Sequence, residues 1–168
     1  ADADLYHNML ILYRLIRYIG RVAFPIYCFL LVEGFIHTHS KLKYLLRLGI
    51  FGLISEIPFD YAIYKHWFYP NKQNVFFTLF FGMLVMVLVE RFRNDWLQFL
   101  IMAAGVYLGW LFKTDYGARG VFLICTLFLV RYARPIQCLA GALIMQYELT
   151  APLAFVPILL YNGEKGNL

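Results

Sequence analysis

The stretch Val75–Val89, VFFTLFFGMLVMVLV, holds no charged side chain, and it is one of about six apolar runs separated only by short polar connections. Runs of this kind suit a solvent of hydrocarbon, where each helix satisfies its own backbone N–H and C=O groups and apolar side chains can face lipid. The sequence therefore predicts an all-α, polytopic transmembrane helix bundle of about six spans, forming a single integral membrane domain over residues 1–168. Composition agrees. The chain is 62% hydrophobic and 15% charged, where a soluble domain has about 45–50% and about 25%.

The formal charge of +5 would suggest nucleic acid in a soluble protein. Here Lys and Arg are scattered through the connections between apolar runs, as in membrane proteins generally, so nucleic acid is not expected as a partner and membrane lipid is. Cys28, Cys125 and Cys138 lie inside apolar segments without metal-ligand spacing and read as core thiols. No metal site is expected. The start, ADADLYHNM, has neither the basic region nor the cleavage site of a signal peptide. It also lacks an initiator Met, which reads as a fragment or a processed chain.

Taken in order, the runs are 9–36, 42–64, 73–90, 95–112, 118–133 and 135–161. The last is either one kinked span or two half-spans meeting near ELTAP. Arg14, Arg17 and Arg21 recur at i, i+3 and i+7 and share one helical stripe, either a snorkelling helix end or an anion-binding or acid-pairing stripe. Gly105 and Gly109 are spaced for close helix approach. Glu56 and Asp60 are four residues apart around Pro58, which places both carboxylates on one face of a kinked helix. The next run opens with Gln73-Asn74, and the intervening loop is short enough to bring the helix ends together. Glu56, Asp60, Gln73 and Asn74 thus read as the rim of a polar cavity. If every run spans, Asp115 and the Arg stripe share their face, and Glu33, His37 and His39 lie on the opposite one.

The blocks GRVAFPIYCFLLVEGFIHT, YLLRLGIFGLISEIPFDYAIY, QNVFFTLFFG, GARGV and LLYNGEKG closely resemble the TraX family, membrane proteins related to the F-pilin acetylase of conjugation systems. The resemblance implies a bacterial inner-membrane protein allied to acyltransferases that use acetyl-CoA. Its name-giving activity is acetylation of the N-terminal amine of a pilin-like protein. It also implies further hydrophobic helices at either end, with Asp-His-Ile-Gly and Tyr-Pro-x-His-type motifs, neither of which occurs in these 168 residues. Under this resemblance Asp60, Glu56 or His37 supplies the base, and Arg21, Lys41, Lys43 and Arg47 are candidates for the phosphates of CoA. Gln73, Asn74, Glu33 and Asp115 are the candidate contacts for the acceptor. The rival reading is a small transporter or solute-binding membrane protein using the Glu56/Asp60 cavity.

Overall fold

The computed structural model describes residues 2–67 and 69–163; Lys165 and the end of the NGEKG block lie outside them. Among the described residues the regular elements are helices. These are α1 (Asp2–His37), α2 (Lys41–Tyr64), α3 (Val75–Arg91), α4 (Asp95–Leu111), α5 (Gly117–Leu129), α6 (Arg134–Ile144), a 3-10 turn (Ala151–Ala154) and α7 (Phe155–Leu159). The final apolar run is broken into two pieces around 145–150. Pro25 and Pro58 lie inside the helices α1 and α2, where each removes the backbone donor that would bond the carbonyl four residues earlier.

The charge-free run becomes α3, the central helix, with α1, α2, α4 and α5 packed around it. Being covered on several sides, it has no polar face, and Leu79, Phe81, Met83, Val85, Met86 and Val89 are all buried. Asn74 and Asn94 cap α3 and α4 by accepting from the N–H of Phe76 and Leu97, at 2.9 and 3.1 Å. Gly105 and Gly109 are the buried positions of α4. A Cβ at Gly105 would collide with Val85; one at Gly109 would lie 2.8 Å from Val121 Cγ2 and 2.9 Å from the Gly117 carbonyl oxygen. The small residues therefore set the separation of α4 from α3 and α5.

Two helices, α2 and α6, bury polar side chains while exposing large apolar ones. On α2 the buried positions include Glu56 and Asp60, whereas Leu46, Ile50, Leu53, Ile54, Ile57 and Ile63 are exposed. On α6, Gln137 is buried and donates to the Leu127 carbonyl at 2.8 Å, while Ile136, Leu139 and Leu143 are exposed. Among the described helices one, Tyr6–His37, is long and apolar enough to cross a membrane, and α4 and α5 are shorter apolar helices. At 1.5 Å per residue α3 and α4 reach about 25 Å, α5 about 20 Å and α6 about 16 Å. Helix length alone thus supports fewer complete spans than the apolar runs imply, because α5 and α6 stop early.

Gly109→Ala should destabilise the bundle by about 1–3 kcal/mol, since the Cβ meets backbone at Gly117 that cannot swing aside as a side chain can. A lowered unfolding midpoint in detergent is expected; an unchanged one would show that α4 and α5 are not in this close contact.

Candidate functional site

Three consecutive residues before α3 tie the structure together at one end. Asn74 is buried, and its side chain donates to Glu56 Oε2 at 2.6 Å and to the Gly52 carbonyl at 2.8 Å while capping α3. Its backbone N–H also donates to Glu56 Oε2, at 3.1 Å. Gln73 uses its backbone N–H to reach the Lys113 carbonyl at 3.1 Å, which joins the α2–α3 loop to the α4–α5 loop. Lys72 reaches Asp115, with Nζ 2.9 Å from Oδ1. One turn along α2 from Glu56, the fully buried Asp60 accepts from the Tyr69 backbone N–H at 2.6 Å and holds the middle of the same loop.

These ties shape a charged cleft of about 540 Å³ at that end. The first helix supplies Arg17 and Arg21, the loops supply Lys72 and Asp115, α5 supplies Arg119, and the break after α6 supplies Glu148. Arg21 is ion-paired with Glu148. Thr150 Oγ1 donates to the Tyr18 carbonyl at 3.0 Å, which pins the break against α1. Arg119 lies over the Tyr147 ring, 4.4 Å from its centroid, and Tyr116 stacks on Phe24 with centroids 3.4 Å apart. Four cations face two carboxylates, which leaves the cleft with a positive surplus.

Burial pushes the Tyr116 and Tyr147 phenols above their usual value, with nearby carboxylates adding to the effect, so both stay hydroxyl donors at neutral pH. The hydrogen bond to Asp115 raises Lys72 above an ordinary lysine, which keeps it charged. The cleft can therefore bind an anion through guanidinium and ammonium groups, and it holds carboxylates able to take a proton.

The expected site residues separate into two groups. Glu56, Asp60, Gln73, Asn74, Asp115 and Arg21 gather at this end, but Glu56 and Asp60 do not line the charged cleft; they brace the loop beside it. The four cations assigned to one phosphate site are not together. Arg21 lines this cleft, whereas Lys43 and Arg47 line a second cleft at the α1–α2 turn and Lys41 pairs with Glu90. His37 belongs to that second cleft, with Nδ1 2.9 Å from the Glu33 carbonyl. It is about 24 Å along α1 from Arg21 at 1.5 Å per residue, too far to share a reacting atom with Asp60 or Glu56. Glu33 pairs with Arg134 at 3.1 Å. Sequence reading missed Arg119, Tyr147 and Glu148 as site residues. The signal for Glu148 was a lone carboxylate in a long apolar run, which requires a cation partner.

Fold and cleft together define an all-α bundle with a largely apolar exterior and a charged site where four chain segments meet. Residues 5–166 match the TraX protein family, and the chain belongs to that family. A probable fimbrial assembly protein FimC, serogroup H1, from Dichelobacter nodosus is 35% identical over 109 residues; the alignment covers 58% of this chain and 45% of that protein. The chain thus spans less than half the length of that relative. No solved structure matches.

Asn74→Ala should lower stability by about 2 kcal/mol or more, because it removes a helix cap and leaves buried Glu56 without a side-chain donor. Asn74→Asp keeps the cap but sets a carboxylate against Glu56, so its unfolding midpoint should recover when combined with Glu56→Gln. Independent, additive losses in that double variant would show that the two side chains do not interact.

Proposed function

We propose that this chain is the membrane-embedded core of a bacterial inner-membrane acetyltransferase acting in pilus or fimbrial assembly, with acetyl-CoA as donor and the amine of a pilin-like protein as acceptor. The membrane part of this reading is supported by inverted helix polarity. An α2 that buries two carboxylates while exposing Leu46, Ile50, Leu53 and Ile57 is poorly matched to water and well matched to lipid. Trp67, Trp96 and Trp110 are 73%, 70% and 63% exposed and sit at helix ends, where interfacial aromatic residues belong. In this reading α1 to α4 cross the bilayer, α5 crosses together with the turns that flank it, and α6 and α7 are two half-spans around Glu148.

The activity is supported by family membership, by the fimbrial assembly relative, and above all by the charged cleft. Segments from the resembling blocks, Arg21 of GRVAFP, the loop entering QNVFFT and Arg119 of GARG, come together there. In acetyl transfer the acceptor nitrogen bonds to the acetyl carbon as the carbon–sulfur bond breaks, the thiolate departs with the electron pair, and the ammonium proton is given up. Arg17, Arg119 and Lys72 suit the phosphates of the donor, and Asp115 and Glu148 are carboxylates within the cleft that can accept the proton. Asp60 and Glu56 position the loop carrying Lys72. A solute pathway through Glu56 and Asp60 is the second reading: Glu56 Oε2 and Asp60 Oδ2 are engaged by Asn74 and the Tyr69 N–H, while Glu56 Oε1 and Asp60 Oδ1 are buried without a hydrogen-bond partner among the described residues.

Two measurements test this reading. Leu53→Lys should reduce membrane insertion, since a cation at mid-membrane costs about 2.5–3.5 kcal/mol; an unaffected, fully extractable protein would remove the membrane reading. Acetylation of a pilin-like N-terminal amine by the full-length protein in lipid should fall by about 10²–10⁴-fold in whichever of Asp115→Asn and Glu148→Gln removes the base. Asp60→Asn, if Asp60 only braces the loop, should lower activity without changing the pH at which activity half-rises. No acetylated product from the intact, inserted protein would overturn the proposal.

A further inference from the structure

At the opposite end of the bundle, the turn between α1 and α2 forms a second cleft of about 440 Å³. His37, His39, Ser40, Lys43, Tyr44 and Arg47 line it, and among the described residues no acid does. Lys43 and Arg47 are four residues apart, so both long side chains rise from one face of α2. The neighbouring carboxylates are already committed to other cations. Glu33 is held by Arg134 at 3.1 Å, and Glu90 by Lys41. Among the described residues neither Lys43 nor Arg47 forms an ion pair. Ser40 at the start of α2 makes no side-chain cap, so its hydroxyl is not committed to the first turn of that helix.

The contrast with the first cleft is the informative point. There, Asp115 and Glu148 offset half of the cationic charge; here the charge is left whole, beside hydroxyl and imidazole groups that can complete a hydrogen-bond set. Two flexible cations four residues apart, with hydroxyl and imidazole groups around them, match the several oxygens of a phosphate better than a single carboxylate. The cleft is flanked by exposed Ile36, Leu42 and Leu46, so an acyl chain can lie against the helices while a headgroup occupies the turn.

We propose that the α1–α2 turn is a phosphate-ester binding site, separate from the charged cleft at the other end, with Lys43 and Arg47 as its main contacts. The phosphate comes from a phospholipid headgroup or from a soluble phosphate compound. The site does not depend on acetyl transfer; its lipid source depends on the membrane reading.

Native mass spectrometry of the full-length protein in detergent tests this with three probes: phosphatidylglycerol, diacylglycerol lacking the headgroup, and inorganic pyrophosphate. The wild type should retain phosphatidylglycerol and not diacylglycerol, and Lys43→Gln/Arg47→Gln should reduce retention about tenfold. Arg91→Gln/Arg93→Gln, which removes two cations outside the cleft, should leave it within about twofold. Saturable pyrophosphate binding lost in the Lys43/Arg47 variant, with no lipid retention, would keep the site and assign a soluble source. Equal binding by wild type and the Lys43/Arg47 variant, equal loss in the Arg91/Arg93 control, or no binding of either phosphate probe would overturn the proposal. Charge-preserving Lys43→Arg/Arg47→Lys should restore binding, which separates lost charge from lost folding.

Discussion

The structure depends on the contact between Asn74 and Glu56. A buried carboxylate on α2 is costly unless it is supplied with donors, and Asn74 gives Glu56 Oε2 one from its side chain and one from its backbone. The same side chain starts α3 by accepting from Phe76. One residue therefore fixes where the central helix begins and which face of α2 it meets. Because α1, α2, α4 and α5 all pack on α3, an error in its start would be carried through the core. The Gly52 carbonyl also accepts from Asn74, which adds a second tie between α2 and the start of α3.

From this contact the charged cleft follows by short covalent steps. With Asn74 pinned, Gln73 is delivered to the Lys113 carbonyl, and Lys72 to Asp115. Neither of the last two contacts need be strong: an exposed pair such as Lys72–Asp115 contributes little stability by itself. Its value is geometric, because the buried pair next door has already met the entropic cost of ordering the loop. Asp60 does the corresponding work at the middle of the loop through the Tyr69 N–H.

Much of this was legible in the sequence, for identifiable reasons. The i,i+4 spacing of Glu56 and Asp60, the amide pair Gln73-Asn74 and the short intervening loop were enough to place these groups at one end, since all three are local rules. The run that forms α3 was legible as an absence of charge, whereas its central position and its cap by Asn74 emerge only from the packing and the hydrogen bond to Phe76. The Arg stripe left two readings, and the structure gives Arg21 an acid partner in Glu148. That pairing could not be read forward, because nothing local connects the two; it required knowing that the last apolar run breaks at 145–150 and folds back against Tyr18. The structure places Arg21 at one end and Lys41, Lys43 and Arg47 at the other. Like chemistry carries no information about proximity, and the length of α1 holds Arg21 and the α1–α2 turn far apart.

This separation gives the bundle a division of labour between its ends. At the end bearing Arg21, cations and acids are mixed, and the loops that carry them are knitted to one another by backbone hydrogen bonds. Such an arrangement can distinguish between proton positions, because both signs of charge are held at fixed distances. At the end bearing His37, the acids are taken up in pairs that brace helices, Glu33 with Arg134 and Glu90 with Lys41, and Lys43 and Arg47 are left over. Mixed charge suits chemistry on a bound group; unmixed charge suits holding one. The apolar helices between the two ends make few polar connections from one to the other, since α3 and α5 bury mainly Leu, Ile, Val, Phe and Met along their middles. The two ends can therefore be altered independently, and a substitution at one should reach the other only by loosening α3 at Asn74.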